Sequence, residues 1–143
     1  MSKRRLFSFI FLLFIFSCTN SNQESASGKP ENDVDAARMF IRNALDGKYS
    51  DARKLMLQDS LNLELLDAFQ HNYETRMSRE DKRGYRESSI NMHDVRQVND
   101  STTIVNYSNS FKNKKDSLKL IRKNGDWLVD FKYSFAGGGS MKK

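Results

Sequence analysis

The side chains with chemistry to offer are few and far apart. The chain carries two histidines, His71 and His93, and one cysteine, Cys18. No His-Glu-x-x-His pattern or second thiol accompanies them, so no metal site and no cofactor is expected. His71 and Glu74 fall one helical turn apart, a spacing that suits an exposed polar pair. The best set for acid–base work is His93 and Asp94, with Tyr107 on the next predicted strand. Such a set needs a titratable group held in an apolar cavity; a surface His beside a surface Asp is the simpler reading. No serine sits in a nucleophile elbow, and Gly137 to Gly139 precede no helix that could receive a phosphate. Phe40, Tyr49, Phe69, Tyr73, Tyr107 and Trp127 either line a pocket or fill it.

The elements that must position these groups follow from spacing. Asp33 is a suitable N-cap for a helix from Val34 to Asp46, stopped by Gly47. Ala37, Phe40, Ile41, Ala44 and Leu45 make its apolar stripe. Ser50 opens a short second helix through Ala52, Leu55 and Met56. Asp59 or Ser60 caps a third from Leu61 to Met77, with Leu61, Leu65, Leu66, Phe69, Tyr73 and Met77 on its predicted buried side. Ser78 to Gly84, rich in charge, reads as a solvated turn.

From Tyr85 the period changes to two. Four strands are predicted over Arg86–Val98, Thr102–Phe111, Asp116–Lys123 and Trp127–Phe135, joined as an antiparallel meander. Asn99-Asp100-Ser101 and Asn113-Lys114-Lys115 read as hairpin loops, and Asn124-Gly125 suits a type I′ turn. Val95 breaks the parity of Ile90 and Met92, which predicts a bulge near His93 and Asp94. Trp127, Val129, Phe131, Tyr133 and Phe135 share the face expected to meet the helices, with Asp130 and Lys132 on the other. The fold class is therefore α+β, with N-terminal helices on one face of a curved four-stranded sheet.

The first thirty residues are of another kind. Lys3, Arg4 and Arg5 precede an eleven-residue apolar run, Leu6 to Phe16, and then Ser17-Cys18. This is the layout of an export signal, too short to span a bilayer comfortably. Ile15-Phe16-Ser17-Cys18 resembles the lipobox of bacterial lipoproteins, which implies acylation of Cys18 after removal of residues 1–17. Residues 18–33 are then the lipidated cysteine and a flexible tether; as a coil of about fourteen residues it spans roughly 20 Å. Residues 34–135 form one domain and 136–143 a flexible tail. Thr19 stands where an Asp would signal inner-membrane retention, so the resemblance implies the outer membrane, facing the periplasm.

Of 24 basic side chains the leader takes three, leaving 21 against 18 acidic ones and a net charge of +3. That balance favours no nucleic-acid partner. Lys112, Lys114 and Lys115, with Arg79, Lys82, Arg83 and Arg86, are candidates for contact with anionic lipid or glycan, or are solubilising.

Two stretches carry a further resemblance. Ala36 to Lys54, with its Ala-Leu helix end, Gly-Lys turn and aromatic, and Leu120 to Val129, with a Trp after the Asn-Gly turn, resemble small bacterial lipoproteins bearing an uncharacterised cystatin-like, nuclear-transport-factor-2-like domain. The resemblance implies helices held in a cone of sheet, a non-enzymatic role, and a hydrophobic ligand or an envelope protein as partner. It leaves two alternatives open: an isomerase or hydro-lyase with its site inside the cone, and a structural module of an envelope complex.

Overall fold

A computed structural model describes residues 28–137. The leader, Cys18 and the tether up to Ser27 lie outside the described residues, as does the tail beyond Gly137. Four helices, α1 (Asp33–Leu45), α2 (Tyr49–Lys54), α3 (Ser60–Thr75) and α4 (Arg79–Glu87), precede four strands, β1 (Ile90–Asn99), β2 (Thr102–Asn109), β3 (Asp116–Lys123) and β4 (Asp126–Asp130). The strands pair antiparallel in sequence order, so the sheet is a meander and the fold α+β.

The N-cap of α1 is Asn32, whose side chain accepts from Asp35 N at 2.9 Å, one residue earlier than Asp33. Asp33 instead accepts from the Thr103 hydroxyl, pinning the start of α1 to the start of β2. Lys29 pairs with Asp126 beside the β3–β4 turn. Neither contact has a signal in apolar spacing, since all four side chains are polar.

Helix α1 crosses the sheet and supplies Ala36, Ala37, Phe40 and Ile41 to a core closed by Val105, Leu118, Leu120 and Val129. Gly47 has φ +76°, and its N–H donates to Ala44 O, ending the helix as predicted. Asn124 and Gly125 have φ +53° and +87° between the paired residues Lys123 and Asp126, the two positive values that a type I′ hairpin needs. The predicted bulge is present as a register shift between Met92 and Asp94, and a second lies between Gln97 and Asn99.

Four expectations are corrected. Ser78 to Gly84 is not a turn: Ser78 Oγ accepts from Asp81 N at 3.0 Å and donates to the Asp81 carboxylate at 2.9 Å, starting α4. That Ser-x-x-Asp cap is the local signal, and it delays β1 to Ile90. Helix α3 packs on α2 and the chain after β4 rather than on the sheet, so only Leu66 of its predicted stripe is buried; Leu61 and Phe69 are 49% and 46% exposed. Strand β2 ends at Asn109, and the turn after it, with Asn113 at φ +51°, leaves Phe111 exposed against the Tyr85 ring.

Strand β4 ends at Asp130 and gives way to a 3-10 helix, Phe131–Ser134. The Asn62 side-chain oxygen accepts the Lys132 N–H at 2.7 Å, which draws the chain out of the sheet. Phe131 keeps its expected place, entering the core against Phe40, but parity fails beyond it: Phe135 is exposed beside Phe69. Trp127 lies on the predicted face but at the sheet end, partly buried, with Arg122 over its ring.

Candidate functional site

The residues expected to line or fill a pocket do not enclose one space. Phe40 is buried in the centre. Tyr49 and Tyr73 pack edge to face at the α2–α3 side, 5.6 Å between centroids, and Phe69 meets Phe131 farther along α3 at 5.3 Å. Burial, with smaller effects from Tyr73 and Glu74, pushes the Tyr49 phenol up to about 12. Tyr107 and Trp127 belong to different ends of the sheet, near the Asp116 end of β3 and at the β3–β4 turn respectively.

His93 and Asp94 do sit at the bulge, but on the exposed side of β1. His93 Nε2 is 2.8 Å from Ser108 Oγ, and Asn106 donates to Asp94 at 3.4 Å. Tyr107 is not joined to them by any hydrogen bond; the bulge carries His93 to the face away from it.

Two arrangements were not singled out by sequence. Tyr107 and Asp116 face each other across β2 and β3 on the helix-covered face. The phenol donates to Asp116 Oδ2 at 3.5 Å, and Ser117 N donates to Oδ1 at 2.7 Å. Burial is the main reason that the Asp116 carboxyl lies above its ordinary range, and burial with the Asp116 charge pushes Tyr107 far up. The alternation of β3 gave the sequence signal: Asp116 shares parity with Leu118 and Leu120. A carboxyl whose pKa burial raises, set beside a phenol, is a better proton carrier near neutral pH than an exposed one.

The raised carboxyl also makes a stability prediction. A folded pKa above the unfolded value means that the native state is favoured fully below that unfolded value, with the advantage lost as pH rises through the folded one. Asp116→Asn removes the loss, so this variant is expected to melt higher than the parent at pH 7, with the difference shrinking toward pH 4. Parallel thermal melts across that range check it; a lower melting temperature at pH 7 contradicts the burial account.

The second arrangement surrounds Asp130, which is 4% exposed although its parity pointed to the open face of the sheet. Lys119 Nζ lies 2.7 Å and Lys132 Nζ 3.3 Å from its oxygens, and Asn62 Nδ2 donates to it at 3.3 Å. Asn62, fully buried, also donates to Asp59 at 2.7 Å. Burial opposes the Asp130 charge, but these donors outweigh it and hold the carboxyl below its usual range. The cluster ties α3 to the end of β4. Asp59-x-x-Asn62 spacing was the sequence signal, read only as a helix cap.

A cleft of about 250 Å³ lies between α3, α4 and the β2–β3 turn, lined by Asn72, Arg76, Met77, Asp81, Tyr85 and Lys112. Lys112 reaches Asp81 at 3.1 Å across it and sits over the Phe111 ring. Among the described residues no three His, Cys, Asp or Glu side chains gather in a metal-binding group.

No protein family, curated protein or solved structure matches this chain.

Proposed function

We propose that this chain is a lipid-anchored cell-envelope protein whose α+β domain acts by binding, to a partner protein or a hydrophobic ligand, rather than by catalysis. The observation that carries the reading is the sequence from Lys3 to Cys18: basic start, apolar run and small residue before the only cysteine. Several acyl chains on that cysteine, at about 0.8 kcal/mol per buried CH₂, give stable anchoring. The outer membrane, periplasmic side, follows from Thr19. Helices before a four-stranded antiparallel meander support a place among cystatin-like lipoprotein domains. The filled centre around Phe40, Leu66, Leu118 and Leu120 favours recognition at the surface.

The experiment is Cys18→Ser in the full chain. Release of folded protein from the membrane fraction, with loss of metabolically incorporated palmitate, is expected; retention in the membrane would sink the anchor.

A second reading, an isomerase or hydro-lyase, draws its support from the Tyr107–Asp116 pair rather than from His93 and Asp94. Both reactions need a group that takes a proton from carbon and returns one, and a half-buried carboxyl with raised pKa is suited to that. The structural-module alternative is supported by the outer edge of β1, which pairs with none of the described residues.

A further inference from the structure

The two edges of the sheet differ. Outside β4, the segment between α2 and α3 lies as an added parallel bridge: Leu57 N donates to Val129 O at 2.9 Å and Val129 N to Leu55 O at 2.8 Å. That edge is covered. Strand β1, ten residues long, has β2 on one side and none of the described residues paired on the other. From His93 to Asn99 every residue is exposed, including Val95 at 44% and Val98 at 47%.

The register says which backbone groups face outward. Ser110 N donates to Ser89 O, and Arg122 N on the other side donates to Ser101 O, so even-numbered residues of β2 bond toward β1 and odd-numbered ones toward β3. Asp94 and Arg96 pair with Asn106 and Ile104 and spend their backbone groups inward. Val95, opposite Val105, is left with its N–H and C=O pointing out of the sheet. Exposed, unpaired edges of this kind are templates for another strand.

We propose that β1 pairs antiparallel with β1 of a second copy of this chain, about a two-fold axis at Val95, joining two sheets into one. The order Asp94-Val95-Arg96 is its own complement under that rotation. Val95 meets Val95 of the second copy, each N–H donating to the other's C=O. Asp94 then stands opposite Arg96 of the second copy, and Arg96 opposite Asp94. These are non-hydrogen-bonded positions, where side chains across strands come closest.

The single chain leaves both charges available: Arg96 has no hydrogen bond or ion pair among the described residues, and Asp94 has only the 3.4 Å contact from Asn106. Parallel pairing in the same register sets Asp against Asp and Arg against Arg, so charge selects the antiparallel orientation. The bulges at Met92/Asp94 and Gln97/Asn99 confine the new ladder to Asp94–Arg96, because Gln97 would have to pair with His93 inside the first bulge. A ladder this short is weak between free molecules and gains from anything that concentrates the copies on one surface. The pairing itself does not depend on the anchor.

Two full-length copies with different tags, co-expressed, fixed briefly with formaldehyde in intact cells and captured through one tag, test the pairing. Wild-type copies are expected to capture each other. Asp94→Arg faces Arg96 with arginine, and Arg96→Asp faces Asp94 with aspartate, so each variant paired with itself is expected to fall roughly tenfold or more, two attractions having become two repulsions. Asp94→Arg co-expressed with Arg96→Asp restores both opposite pairs, and capture should return to near the wild-type level. That recovery also shows both variants to be folded. Self-capture of the single variants equal to wild type, no recovery in the mixed pair, or no capture between wild-type copies overturns the proposal; the last result with a different envelope protein fixed to the chain instead assigns the edge to that protein.

Discussion

Phe40→Ala is expected to lower the unfolding free energy by about 3–5 kcal/mol, the usual cost of truncating a buried Phe. Phe40 is 2% exposed at the point where α1 crosses the sheet, and its ring packs against Phe131 at 5.4 Å. Its surroundings, Met56, Val105, Leu118, Leu120 and Val129, are fully buried and belong to several different elements, so no single movement can close the space left behind. Against a typical domain stability of roughly 5–15 kcal/mol the loss is large. Urea unfolding of parent and variant should show a lower midpoint at an unchanged slope. A loss under about 1 kcal/mol would mean that α1 does not hold the centre of the core. Trp127→Ala should cost less, since Trp127 is only partly buried and its far side meets Arg122.

Where one periodicity governed a segment, the structure was legible from the residues. Ala37, Phe40 and Ile41 go into the core as their spacing requires, and the parity break at Val95 located the bulge because a strand cannot change face without one. Asn124-Gly125 was legible for a local reason, since few residue pairs accept two positive φ values. Failures came where a polar contact between distant residues outweighed pattern. The alternation Trp127, Val129, Phe131, Tyr133, Phe135 reads as one long strand, but Asn62, distant in sequence, takes the Lys132 N–H and turns the chain. The stripe of α3 reads as a face for the sheet, yet α1 already occupies it, and α3 has only the outer layer left.

The candidate site divides the same way. His93 and Asp94 were legible both as a bulge and, in the simpler reading, as a surface pair, and the structure leaves both exposed. Asp116 was hidden by its type: an acid at a strand start reads as solvent-facing, although its parity with Leu118 and Leu120 placed it on the covered face. The Asp94-Val95-Arg96 order carries a meaning that no monomer pattern exposes. It becomes readable only once the register shows which edge is open and which backbone groups face out.

Asn62→Ala is expected to cost about 2–4 kcal/mol, more than its lost volume alone, because it strips partners from groups that have no water to replace them. The Lys132 N–H loses its acceptor, and Asp130, 4% exposed, loses a donor while keeping its charge. The cost depends on pH with a definite sign. Burial would raise the Asp130 carboxyl, but Lys119, Asn62 and Lys132 hold it below the ordinary value of 3.8. A group with a depressed folded pKa lends stability that is present above the unfolded pKa and lost as pH falls through the folded one. The bond from Asn62 to the Asp130 carboxylate belongs to that stability, so the gap between parent and Asn62→Ala should be constant from pH 7 to about 5 and should narrow below pH 4 as Asp130 takes a proton. Urea titrations at stepped pH measure it. A gap that stays constant on acidification would show that Asn62 acts as packing or helix cap alone, with no support from its bond to the Asp130 carboxylate.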